Sequence, residues 1–166
     1  MKDRKEYYAI AGSSRQELRW ALDRLGPQND EGGRSDAITK WDFGYTFGLT
    51  ERASRCRVSS LETSTVITTI LPRWSPGPEA QRSLVKRWDE YVECAALHEN
   101  GHRRIYLDGV AELRRRASAL GEFETCEAAT KALDTRAQEV LRDLKEAQSA
   151  YEKRTNHGYE QCGRFP

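Results

Sequence analysis

The sequence predicts an α+β fold: a small antiparallel β-sheet with an N-terminal helix, packed on a long C-terminal antiparallel helical hairpin. Three observations lead there. Up to about residue 77 the chain is rich in aromatic and β-branched residues, and Trp41, Phe43, Tyr45 and Phe47 alternate with smaller or polar ones at a period of two. From residue 78 the apolar residues recur every three or four positions, as in Leu84, Trp88, Tyr91, Val92 and Ala95. Between the two textures, Pro72, Pro76 and Pro78 are too closely spaced for the interior of either element. At 166 residues the chain has the size of one domain, 1–166, with a strand-rich half over 1–77 and a helical half over 78–166.

Tyr7, Tyr8 and Ile10 form a short aromatic and β-branched run that Gly12 ends, so a first strand is expected there. Ser13 or Ser14 then caps a helix in which Leu18, Ala21, Leu22 and Leu25 share one face, and Gly26-Pro27 stops it. The polar stretch 28–35 reads as a surface loop. The aromatic strand follows over 39–47, then two β-branched strands over 56–61 and 65–71, joined near Glu62-Thr63-Ser64. A helix runs from about Leu84 to Leu120, Gly121 breaks it, and a second helix spans about Glu122 to Lys153. The glycine-punctuated tail, 155–163, is expected to be non-helical.

Composition narrows the function classes. A net charge of +1 with 32% charged residues gives interspersed signs and no basic surface, which argues against nucleic acid as the main partner. No apolar run approaches the ~18–20 residues of a membrane span. The first residues enter a strand without a signal-peptide core, which points to the cytoplasm unless a leader was removed. The four cysteines, Cys56, Cys94, Cys126 and Cys162, form no CxxC pair, so a zinc ribbon is not expected, while their disulfide state stays open.

The chemistry concentrates at His98-Glu99-Asn100-Gly101-His102, an HExxH sequence inside the first long helix. Positions i and i+4 share a helical face, so both imidazoles can address one Zn2+ ion with Glu99 beside them as a general base. Two of the three histidines of the chain lie in this segment. A catalytic zinc needs a third protein ligand. Asp108 has the metzincin spacing, but Ile105 stands where the necessary glycine break would be, which leaves Asp108 about 9 Å further along the axis than His102. Glu112 lies further still, and Met1, the only methionine, makes no methionine turn.

His157 fits better. If the hairpin turns near Gly121, residues 139–143 lie level with the HExxH segment and the second helix overshoots it. Residues 153–157 can then run back about 16 Å. The same construction sets Cys94 and Cys126 too far apart to bond and lets Cys162 approach Cys94. Cys94, one turn before His98, is expected as a buried or bonded cysteine rather than a ligand. Tyr159 and Tyr106 are candidate hydrogen-bond donors to a developing oxyanion. The cluster Arg103, Arg104, Arg114, Arg115 and Arg116 reads as a solvated face, and the Trp41 stripe as core rather than substrate cleft.

Taken together, Tyr8-x-Ile10-x-Gly12, Glu17-Leu18-Arg19, Gly26-Pro27, Ala37-x-Thr39-x-Trp41, Cys56-x-Val58, Leu71-Pro72-x-Trp74, Trp88, His98-Glu99-x-Gly101-His102 and Thr155-x-His157-Gly158 carry a resemblance over nearly the whole chain. The sequence resembles a bacterial domain-of-unknown-function family described as predicted secreted zinc-dependent proteases. The resemblance implies a periplasmic or secreted protein if a leader was removed, and the sequence departs from the pattern in two places: it shows no secretory signal, and Cys162 separates Gln161 from Gly163.

The resulting expectation is a zinc metallopeptidase acting on a peptide or protein substrate. His98, His102 and His157 hold Zn2+, and Glu99 takes the proton of the attacking water and passes it to the leaving amine. Two alternatives from other classes stand beside it: a non-catalytic zinc-stabilised binding module closed by a fourth side chain such as Cys162, and a metal-free helical-hairpin interaction protein.

Overall fold

The computed structural model describes residues 1–29 and 32–165. Its elements are β1 (Lys2–Ile10), α1 (Arg15–Leu25), β2 (Ile38–Arg52), β3 (Arg55–Trp74), α2 (Arg82–Ser118), α3 (Cys126–Thr155) and the short α4 (Tyr159–Cys162). This is an α+β chain with a three-stranded mixed sheet in the order β1-β3-β2. The all-antiparallel sheet expected from sequence is therefore corrected. Only β2 and β3 are joined by a tight turn, Ala53-Ser54, with both residues at positive φ as a two-residue hairpin requires. β1 is separated from them by α1 and a loop, so no tight turn sets its direction.

Two compact units make up the chain. One comprises Met1, Trp41–Val66 and Arg104–Ala150; the other comprises Lys2–Lys40, Ile67–Arg103 and Tyr151–Pro166. In the first, Phe43, Tyr45 and Leu61 pack on Leu113, Ala137 and Val140, so the middle of the aromatic stripe lies against the core, while all four of its aromatics stay partly exposed. There Gly109 meets Leu144 and Arg116 meets Glu139 and Asp143, so paired positions rise along α2 as they fall along α3. The Cys56–Cys126 disulfide lies in this unit. In the second, Ile10, Leu18, Ala21, Leu22, Trp74, Leu84, Trp88 and Phe165 form the apolar cluster.

Local chemistry explains the boundaries. Ser14 caps α1 by accepting from the Glu17 N–H at 3.3 Å, and the Glu17 carboxylate returns to the Ser13 N–H at 2.6 Å. Gly26 ends α1 where a Cβ would lie 2.3 Å from the Ser35 carbonyl oxygen. The 28–35 loop was expected to be surface; positions 30 and 31 lie outside the described residues.

Three boundaries differ from expectation. The strands expected over 56–61 and 65–71 are one strand, β3, because Glu62 and Ser64 are polar for the reason that they occupy its exposed face, not because the chain turns. Pro72 lies inside β3, two residues before its end. α3 starts at Cys126 rather than near Glu122, since Phe123 pairs with Cys56 and the Thr125 hydroxyl caps the helix by accepting from the Ala128 N–H at 3.1 Å. Among the described residues, no helix is long and apolar enough to cross a membrane.

Candidate metal centre

α2 brings the HExxH side chains to the interior of the second unit: His98, Glu99 and His102 are all buried. The two imidazoles meet at an interplanar angle of 84°, with Nε2 3.2 Å from Nε2. Metal–nitrogen bonds of about 2.0–2.1 Å at a tetrahedral ion separate two ligand atoms by about 3.3–3.4 Å. The pair is spaced for one ion.

The last turn of α3 supplies the next group. Glu152 Oε1 is 3.1 Å from His102 Nε2, and Glu152 Oε2 is 3.9 Å from His98 Nε2. One ligand atom from each of His98, His102 and Glu152 lies within 4.8 Å of the others. Beside Glu152, Tyr151 stacks on the His98 ring at 5.1 Å, stands edge-on to His102 at 4.8 Å and donates its hydroxyl to the His98 carbonyl oxygen at 3.0 Å. Gly101 makes this approach feasible, because a Cβ there would lie 2.1 Å from the Tyr151 hydroxyl oxygen.

This register corrects the construction made from sequence. Residues 151–152, not 139–143, lie level with the HExxH segment, and α3 ends there instead of overshooting. The cause is the connection: residues 119–125 intervene between α2 and α3 where a tight turn at Gly121 was assumed, and every later position of α3 is displaced accordingly.

Beyond Glu152 the chain turns sharply. The His157 N–H donates to the Glu152 carbonyl at 2.9 Å and the Asn156 N–H to the Lys153 carbonyl at 3.3 Å, the two bonds of a Schellman helix stop with Asn156 left-handed at its centre. Three consecutive residues, Asn156, His157 and Gly158, have positive φ. Left-handed backbone at non-glycine residues costs free energy and clusters at functional sites. Here it sets His157 Nδ1 3.2 Å from Glu152 Oε2 while the ring stays 66% exposed. His157 thus meets Glu152 rather than joining the group of three ligand atoms.

The left-handed Gly158 faces the His98 ring, where an added Cβ would lie 3.4 Å away, and starts α4, so part of the tail expected to be non-helical is a one-turn helix. Gln161 Oε1 lies 2.8 Å from His98 Nδ1, and Cys162 is bonded to Cys94, as reach alone had allowed. Tyr159 is half exposed on α4. Tyr106 belongs to the other unit, stacked on Trp41 at 4.7 Å. Glu152 and Gln161 were missed from sequence: an isolated carboxylate and amide carry no spacing signal, and only the α2–α3 register reveals the first.

The electrostatics suit a cation. Burial pushes the Glu99 carboxyl up to about 7, against the Thr39 hydrogen bond and the His102 charge that pull it down. Burial also pushes His98 toward its neutral, ligand-competent form. The His102 hydrogen bond holds the Glu152 carboxyl below its ordinary range. One oxygen of each carboxylate, Glu99 Oε2 and Glu152 Oε2, is buried without a hydrogen bond; His157 Nδ1 is near the second but misaligned. Two converging imidazole nitrogens, the buried Glu99 carboxylate and the partly exposed Glu152 carboxylate, each with one oxygen buried and unsatisfied, fit a divalent metal of the zinc type.

No curated protein and no solved structure gives a significant match to the chain. Residues 5–158, which include every side chain of the centre except Gln161 and Cys162, match the family model "Bacterial protein of unknown function (DUF922)", and the chain belongs to that family.

Proposed function

We propose that the protein is a zinc-dependent hydrolase of peptide bonds. The observation that carries this reading is the convergence of His98 Nε2, His102 Nε2 and the Glu152 carboxylate within 4.8 Å, next to a buried Glu99 with an unpartnered oxygen. His98, His102 and Glu152 hold the metal. Glu152 takes the third position because its oxygens approach both imidazoles, whereas His157 approaches only Glu152 and serves to orient it. Zinc bound there supplies a Lewis acid that polarises the scissile carbonyl and acidifies water. Glu99 accepts the proton of the attacking water on its carboxylate and returns it to the leaving amine nitrogen, a role suited to a carboxyl raised to about 7. Tyr159, exposed on α4, is the candidate donor to the developing oxyanion.

In the competing reading, a non-catalytic zinc-stabilised binding module, the fourth ligand would be a side chain other than Cys162, whose sulfur is bonded to Cys94. Elemental analysis of dialysed wild type, Glu152→Ala, His157→Ala and Glu99→Gln, with an unfolded protein as hydrolysis substrate, tests the proposal. Expected are about one zinc per wild-type chain, marked loss in Glu152→Ala, and retained zinc with hydrolysis down about 10²-fold or more in Glu99→Gln. Zinc lost in His157→Ala but kept in Glu152→Ala would return the third ligand to His157. A wild type free of zinc would overturn the enzyme and favour the metal-free interaction protein.

A further inference from the structure

We propose that Gln161 is a positioning residue of this centre: its side-chain oxygen accepts the Nδ1 proton of His98 and so holds the bare Nε2 of that ring toward His102 and Glu152. The inference rests on the zinc reading for its consequence but not for its test. An imidazole binds metal through a nitrogen that carries no proton, and the partner of the other nitrogen decides which one that is. Gln161 Oε1 stands 2.8 Å from Nδ1, and Nε2 faces His102 Nε2 at 3.2 Å. The opposite tautomer would put a proton between the two imidazoles and confront Gln161 Oε1 with a lone pair.

Gln161 can do this only if α4 is held in place, and α4 buries none of its own residues. Its anchor is covalent. Cys162, the next residue, is bonded to Cys94, which lies one turn before His98 on the same face of α2. The disulfide therefore clamps the residue that orients the ring to the helix that carries it. Gly158, at the other end of α4, faces the same ring, so that a Cβ added there would stand in ordinary contact with it at 3.4 Å.

The test has two readouts on wild type, Gln161→Leu, Gln161→Glu and the Cys94→Ser/Cys162→Ser double variant. The first is the tautomer of His98 in metal-free protein, from long-range proton–nitrogen correlation spectra of the three imidazoles above their pKa. The second is zinc affinity by chelator competition. Expected is an Nδ1–H ring in wild type, retained in Gln161→Glu because a carboxylate accepts the same proton. Gln161→Leu loses it and binds zinc about 10- to 100-fold more weakly. The double variant gives mixed tautomers and an intermediate affinity. An Nδ1–H ring and unchanged affinity in Gln161→Leu would overturn the assignment, and a double variant identical to wild type would overturn the clamp. If no variant binds zinc but the tautomer follows residue 161, the positioning role stands and the zinc reading fails.

Discussion

Replacing Gly101 by alanine adds one carbon at the place where α2 and Tyr151 are closest. That Cβ would lie 2.1 Å from the Tyr151 hydroxyl oxygen and 2.2 Å from Cζ. Ordinary carbon contacts are about 3.5–4.0 Å, so the ring must withdraw by more than about 1 Å. It cannot do so freely, being stacked on His98 and bonded to the His98 carbonyl. Overpacking of this kind costs about 1–3 kcal/mol, the lost hydrogen bond about 1 kcal/mol, and the disturbed ring contacts about 0.5–1.5 kcal/mol. Against this, alanine gains about 1 kcal/mol of helix propensity over glycine. The net is a destabilisation of about 3 kcal/mol, or a Tm lowered by about 6–12 °C at this size. Urea and thermal unfolding of the metal-free protein measure it, with Gly121→Ala, where nothing lies within 4 Å, as control. In a Tyr151→Ala background the penalty should vanish and the propensity gain remain. A Gly101→Ala protein as stable as wild type, or a penalty unchanged without the Tyr151 ring, refutes the reasoning.

Asp36 accepts two bonds from Arg19, at 2.7 and 2.5 Å, and one from the Tyr91 hydroxyl, so Asp36→Ala should cost about 2 kcal/mol in urea unfolding by leaving the half-buried Arg19 guanidinium with Asp23, at 2.9 Å, as its remaining carboxylate and the Tyr91 hydroxyl without its acceptor. A cost below about 1 kcal/mol would show that the network is solvated. The Cys56–Cys126 bridge spans a sequence separation of 70, and the Cys56→Ser/Cys126→Ser variant should lose about 4 kcal/mol by the chain-entropy relation; an unchanged urea midpoint would contradict this. The Ser13 backbone N–H, then the Ser13 hydroxyl, hold the Glu17 carboxyl below its ordinary 4.5. A depressed folded-state value stabilises above the unfolded value and is lost as pH falls through the folded one. Glu17→Gln should therefore flatten the stability profile below about pH 4, and parallel profiles would exclude the cap as a source of acid sensitivity.

Periodicity made the helices legible, and with them the burial of His98 and His102: i and i+4 share a face whatever the tertiary structure. The α1 cap was legible for a similar reason, since Ser14 and Glu17 act on the backbone next to them. What depends on distance along the chain was not. Glu152 becomes a neighbour of His102 only through the seven residues between α2 and α3, whose length as a connection no residue pattern states. His157 was found by scarcity and reach, but its backbone closes a helix stop instead of running extended, which brings it to Glu152 first. Ser64 misled because a polar residue on an exposed strand face and a polar residue in a turn look alike without a partner strand. Cys94 and Cys162 were within reach on helical geometry, whereas Cys56 and Cys126 needed the Phe123 pairing to show that the loop returns to β3.

The two disulfides interleave: Cys94 falls inside the loop closed by Cys56–Cys126, and Cys126 inside the loop closed by Cys94–Cys162. Every peptide bond from Cys56 to Cys162 is thereby spanned by at least one bridge. A protease that nicks this stretch once, wherever it cuts, leaves a single covalent molecule, and the severed ends remain tethered near their native partners. Only a second cut or reduction can release a fragment, so the chain tolerates a broken backbone over the region that holds all its metal-capable histidines.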